Sequence, residues 1–128
     1  MYLLDTNACI DFLLGRSPLL AERVRSAFGT LALSAITVAE LRVGSRTSSD
    51  PQGDARRIDS FVGALPVIAF DEVAAATYAQ VVRAIGVRRK SFDRLIGAQA
   101  VASQCILVTR NEADFADIAG LQIEDWTR

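Results

Sequence analysis

Five short apolar runs punctuate this chain, at residues 1–4, 31–33, 67–70, 105–108 and 121–123. Each has the length of a buried strand, and the stretches between them have helical character. Strands that alternate with helices call for a parallel sheet covered on both faces, because a parallel connection needs a long crossover. The expected fold class is therefore α/β, a three-layer α/β/α domain with a central five-stranded, mainly parallel sheet. Residues 6–14 read as a helix closed by Gly15, and 18–28 as a second with Pro18 in its first turn. A third follows residue 33 and ends at Gly44. Residues 45–53, polar and rich in turn formers, form the one clear loop. Helices over 56–64, from the cap Asp71 to 85, over 93–103 and over 110–119 complete the pattern, with a basic loop over 86–92.

At 128 residues the chain has the size of one domain with a real core. Half of it is hydrophobic (51%), which suits a sheet buried on both faces and leaves apolar surface for a partner. No apolar stretch approaches the roughly 20 residues of a membrane span. Asp5 and Asp11 break the amino-terminal apolar region, which argues against a signal peptide. Cys9 and Cys105 stand apart in apolar contexts, as reduced thiols of a cytoplasmic protein do. The formal net charge of −1 gives no global basic footprint. Thirteen of the fourteen cations are arginine, which matches either a preference for bidentate phosphate contacts or simple genome composition. Arg88, Arg89 and Lys90 form the densest cluster, either a solvated face or a contact surface.

The chain has no histidine. That removes imidazole acid–base catalysis, serine and cysteine nucleophiles activated by histidine, and histidine-ligated zinc. Hydrolytic chemistry must then rest on carboxylates, whose hard oxygens suit Mg²⁺ or Mn²⁺. Four carboxylates stand out. Asp5 ends the first strand, in the crevice where open α/β sheets bind ligands, with no cation before Arg16. Glu40 is the only charge in residues 31–41 and has Val43 and Gly44 where a helical partner would be. It closes a T-x-x-E capping box from Thr37, unless the helix starts at Ser34 and leaves Glu40 inside. Asp93 opens an apolar helix, as an N-cap or as a ligand. Asp114 follows the fourth strand and pairs with Arg110 or faces the same crevice, while Thr109 and Glu112 form a capping box of their own. In a parallel sheet all four acids converge on one edge.

These residues resemble the PIN domain, and more narrowly the VapC-type toxins of type II toxin–antitoxin pairs. The resemblance runs over nearly the whole chain, so residues 1–128 are expected to be a single PIN domain. It is carried by Leu-Leu-Asp5-Thr6-Asn7, by the segment from Ser34 through Thr37 and Glu40 to Gly44, by Phe92-Asp93-Arg-Leu-Ile-Gly-Ala, by Thr109-Arg-Asn111-Glu-Ala-Asp114-Phe115, and by Glu124-Asp125-Trp126. Gly97 departs from the alanine common in the family, and the segment before Asp93 is unusually basic.

The resemblance implies a metal-dependent endoribonuclease in which Asp5, Glu40, Asp93 and Asp114 hold Mg²⁺ or Mn²⁺. Asp5 and Asp93 would ligate directly, Asp114 directly or through water, and Glu40 would orient the attacking water or complete the shell. Thr6, Thr109 and Asn111 match polar positions around them, and Arg88, Arg89, Lys90, Arg94 and Arg110 would hold the RNA backbone. A homodimer and an antitoxin of VapB type are implied as partners. Ile10, Phe12, Leu13 and Leu14 are candidates for the antitoxin groove, a dimer contact or plain core. Three rivals stand beside this reading: a phosphotransferase of haloacid-dehalogenase type, a receiver domain and a non-catalytic binding module. The first needs a second acid where Asn7 stands, and the second a late lysine at a strand end, which Lys90 is not.

Overall fold

The computed structural model describes residues 1–128. Its elements are β1 (Tyr2–Leu4), α1 (Thr6–Leu13), α2 (Pro18–Ser26), β2 (Leu31–Ser34), α3 (Ala35–Ser45) and α4 (Pro51–Gly63). They continue with β3 (Val67–Ile68), α5 (Glu72–Ile85), α6 (Asp93–Ala102), β4 (Ile106–Val108) and β5 (Ile123–Glu124). The sheet has the order β3-β2-β1-β4-β5, and every pairing is parallel. The chain therefore steps from β1 outward to β3, then returns to the other side of β1 for β4 and β5. The reversal makes a topological switch point between β1 and β4, where Leu4 lies beside Val108.

Side-chain alternation along the strands builds two cores. Leu4, Leu31, Leu33 and Val108 face α1, α2 and α4, where Leu20, Val24, Ile58 and Phe61 meet them. Leu3, Ala32 and Leu107 point the other way, onto Val81 of α5 and Ile96, Ala98 and Ala100 of α6. Leu3 and Leu4 are both fully buried, as the central strand of a sheet covered on two sides requires. The three-layer α/β/α expectation holds.

Four local expectations change. The third strand shortens to two residues, because its partner β2 ends at Ser34 and leaves Ala69 and Phe70 nothing to pair with. The last strand shifts to Ile123–Glu124, in register with Leu107 and Val108. Helix α4 starts at Pro51 rather than 56, capped by Asp50, whose Oδ1 accepts from the Gly53 amide at 3.1 Å. The helix expected over 110–119 does not form. A 3-10 turn at Glu112–Asp114 is followed by further i to i+3 bonds, and Phe115 and Ile118, three residues apart, enter the core.

Candidate active site

The switch point is lined by the ends of β1 and β4. Asp5 leaves β1 and donates its amide to the Val108 carbonyl at 3.1 Å, while its own carboxylate caps α1 by accepting from the Ala8 amide at 2.7 Å. The cap holds Asp5 in place but leaves it without a cation: only 3% exposed, it has no guanidinium or ammonium within ion-pair distance. Burial raises its pKa to about 6, the Thr109 hydroxyl and the Ala8 amide oppose that rise, and the charges of Asp93 and Asp11 add to it. Thr109, fully buried at the end of β4, also accepts from the Asn111 amide at 3.0 Å and so shapes the loop that leads to Asp114.

The other acids approach from three more elements. Asp93 is the first residue of α6, with its amide donated to Ser91 Oγ at 3.1 Å; it is not the N-cap, which is Phe92. Its pKa rises chiefly by burial, with Asp114 repelling it and Ser91 and Arg88 acting the other way. Asp114 ends the 3-10 turn and pairs with Arg88 Nη1 at 3.3 Å, not with Arg110. Glu40 sits inside α3, because Ser34 is the N-cap that accepts from the Ile36 amide. The Thr37 capping box is thus absent. Thr6 lies 2.7 Å from Glu40 Oε1 and 3.3 Å from Thr37 Oγ1, so its single hydroxyl proton favours the shorter bond.

The four acids therefore line one sheet edge, in the order Glu40, Asp5, Asp93, Asp114, but no three approach closely enough to share one ion in this conformation. Two of them are turned to other partners, Glu40 to Thr6 and Asp114 to Arg88. The donor set is carboxylate and hydroxyl oxygen throughout, which is the chemistry a hard divalent cation takes. Asp5 and Asp93 both carry raised pKa values, so a cation placed between them relieves a real electrostatic cost.

Of the basic side chains expected at the mouth, Arg88 faces the acids, and Arg89 and Lys90 are exposed on the same loop. Arg110 is held by its Nε to Asp11 Oδ2 at 2.7 Å and stays half-exposed. Arg94 is a correction. As the second residue of α6 it turns inward, is 6% exposed, and gives both terminal nitrogens to Asp117, so it presents nothing to an RNA backbone. Asp11 went unmarked in the sequence, though the test that marks Glu40 applies to it: a lone charge in an apolar helical run, with Leu14 and Gly15 at the partner positions. It is buried and accepts from Arg16 as well as Arg110.

Ile10 and Leu13 of α1 and its C-cap Leu14 line a groove with Leu41 of α3 and Ile58 of α4, and Glu40 lies at its wall. Phe12 instead packs on Phe61, ring centroids 5.5 Å apart, at the edge of the core. The groove opens beside the acidic crevice.

A fully parallel five-stranded sheet with an oxygen-lined acidic crevice at its switch point defines a doubly wound α/β protein. Residues 2–121 match the family model described as the PIN domain, and the chain belongs to that family. It is 32% identical over 130 residues to a tRNA(fMet)-specific endonuclease VapC of Shigella flexneri, covering 98% of both chains. Among solved structures it resembles the DNA-bound VapBC of Salmonella typhimurium, with a TM-score of 0.89, 29% identity and coverage of 98% and 97% of the two chains. VapBC2 of Rickettsia felis, bound to a DNA fragment from its promoter, gives a TM-score of 0.87 at 26% identity, covering 98% of each chain. PIN membership sets aside the haloacid-dehalogenase and receiver readings.

Proposed function

We propose that this chain is a divalent-metal-dependent endoribonuclease, the toxin of a toxin–antitoxin pair that stops translation until its antitoxin binds. The observation that carries the reading is a buried Asp5 with no cation of its own at the switch point of a PIN fold, with Asp93 near enough to raise its pKa and Asp114 near enough to raise that of Asp93. Asp5 and Asp93 are the direct ligands for Mg²⁺ or Mn²⁺, with Asp114 ligating directly or through water. When bound, such an ion supplies charge stabilisation at the scissile phosphate and acidifies a neighbouring water. Glu40, oriented by the Thr6 hydroxyl, aligns the attacking water and accepts its proton. Thr109 steadies Asp5, and Asn111 carries the turn that presents Asp114. Arg88, Arg89, Lys90 and Arg110 receive the RNA backbone, and Arg88 exchanges Asp114 for phosphate as substrate arrives.

VapBC is by name a family of toxin–antitoxin systems, and the groove of Ile10, Leu13, Leu14, Leu41 and Ile58 fits the apolar segment of an antitoxin of VapB type. A cytoplasmic homodimer, built as a single PIN domain over residues 1–128, completes the reading; no helix is long and apolar enough to cross a membrane. The test is incubation of the purified chain and its Asp5→Asn variant with total RNA and with tRNA(fMet), with Mg²⁺, with Mn²⁺ and with EDTA, followed by mapping of the cut ends. Cleavage should require metal and Asp5. Equal cleavage in EDTA or by the variant would sink the proposal.

A further inference from the structure

The nuclease reading leaves a buried arginine unused, one residue from a candidate ligand. Arg94 is 6% exposed, and its Nη1 and Nη2 reach Asp117 Oδ1 and Oδ2 at 3.4 and 3.1 Å. Its Nε is buried with no partner at all. For stability alone, an apolar side chain would fill this site at lower cost than a desolvated cation with an orphan donor. What a guanidinium fork supplies instead is a fixed distance and angle between two backbones.

Those two backbones are the ones that carry Asp93 and Asp114. One turn after Arg94, Gly97 lets α6 and the 115–121 segment come together: a Cβ at Gly97 would stand 2.5 Å from Ile118 Cδ1 and 3.4 Å from Phe115 Cδ1. Phe115 and Ile118 are anchored in the core beneath α6. The contacts thus form a ladder along α6, with Gly97 against Ile118, Arg94 against Asp117, and Asp93 beside Asp114 at its open end. The first two rungs are packed or ion-paired; the third is two repelling carboxylates. Arg88 also bears on this end, pairing with Asp114 and lowering the pKa of Asp117 together with Arg94.

We infer that Arg94 is a positioning residue, which sets the spacing of Asp93 and Asp114 through its ion pair with Asp117; this rests on the nuclease reading above. Without the pair, mutual repulsion and the pull of Arg88 swing Asp114 away, and the site loses the third acid a bound ion would recruit. Gly97 contributes less, because Ile118 Cδ1 is the free end of a side chain and can turn aside.

The test is calorimetric Mn²⁺ binding to the full chain, first stripped with EDTA, for the wild type, R94M, D117N and the double variant. Melting temperatures in EDTA and the Mg²⁺ concentration for half-maximal cleavage are measured alongside. R94M and D117N should each weaken Mn²⁺ binding by about tenfold, the range seen for residues that orient ligands. The double variant should lose no more than either single change, since both break one contact. The melting temperature should not track the affinity. Should R94M fail to fold, D117N, altered on the half-exposed partner, decides alone. Unchanged Mn²⁺ affinity in D117N, or losses that multiply in the double variant, would overturn the proposal while leaving the nuclease reading standing. A wild-type chain with no specific Mn²⁺ site would remove both.

Discussion

Two aspartates six residues apart stand at the N-cap and in the body of α1, and the structure treats them in opposite ways. Asp5 is 3% exposed and Asp11 is 4% exposed, so burial does not separate them. Asp11 receives two guanidinium groups, Arg16 at 3.2 Å and Arg110 at 2.7 Å. Asp5 receives an amide and a hydroxyl, and its pKa climbs to about 6. Asp11 is a completed ion-pair cluster that ties α1 to the chain leaving β4. Asp5 is an uncompensated charge kept at the switch point, a cost that the proposed cation site would offset. A buried carboxylate is thus read as structural or functional by its partners, not by its depth.

Asp5→Asn should produce the largest change, with opposite signs for activity and stability. Metal-dependent RNA cleavage should fall by at least about 10²-fold, beyond the usual loss for an outer partner. The same variant, stripped of metal, should be more stable at neutral pH. The native carboxyl titrates near 6 against an ordinary 3.8, so between those values the folded chain holds a proton that the unfolded chain has lost. Stability therefore falls as pH rises from about 4 to 6, and the penalty is complete above 6. Two units correspond to about 3 kcal/mol, and asparagine keeps the oxygen that caps α1. Urea denaturation in EDTA at pH 7.5 and pH 4 checks it: the gain should appear at the first and vanish at the second. A variant less stable than wild type at pH 7.5 would erase the contrast with Asp11.

Thr6→Val comes next. It frees Glu40 from its 2.7 Å hydrogen bond while preserving shape. Cleavage should drop by about tenfold as outer-partner losses do, measured as kcat with Mg²⁺ saturating. Asp11→Asn should act the other way from Asp5→Asn. It breaks two ion pairs whose arginines are half-exposed and can return to water, so the chain should lose about 1–2 kcal/mol, within the range for a charged hydrogen bond. Mn²⁺ affinity should persist. Stabilisation by this variant would show that the two aspartates are alike after all.

The sheet was legible because apolar strand runs survive in any context, and the four acids because strand ends in a parallel sheet share an edge. Asp5, Glu40 and Asp93 stand where their sequence positions put them. What was illegible depended on distant partners. Arg94 looked like part of a basic mouth, yet its burial follows from Asp117, 23 residues on. Asp114 offered two readings, a pair with Arg110 or a place in the crevice; Arg110 is drawn to Asp11, 99 residues away in sequence, and Arg88 takes the pair. The helix expected over 110–119 gives way to a 3-10 turn and further i to i+3 bonds, which sequence does not separate from an α-helix, because Phe115 and Ile118 share a face in both. Asp11 and the cap at Asp50 were readable locally, Asp11 by the lone-charge test that marks Glu40 and Asp50 by the Pro51 that follows it in the first helical turn.

Arg16→Ala is the smallest and sharpest change, because it removes one partner from Asp11 and leaves the other. Arg16 is the more exposed of the pair, 55% against 45%, and its contact is the longer. Exposed arginines contribute between nothing and about 1 kcal/mol to such pairs, so the variant should lose under about 1 kcal/mol, read as a shift in urea midpoint. Arg110→Ala, removing the 2.7 Å contact, should lose more and also release the loop from β4 to Asp114. If one guanidinium suffices to hold a buried carboxylate, the two single changes differ as stated and their combination resembles Asp5: a buried acid with no cation. That doubly altered chain should then lose more stability than the two single changes added together, since only it leaves Asp11 buried without a cation. Losses that merely add in the double variant would mean that the difference between the two aspartates lies in something other than their cations.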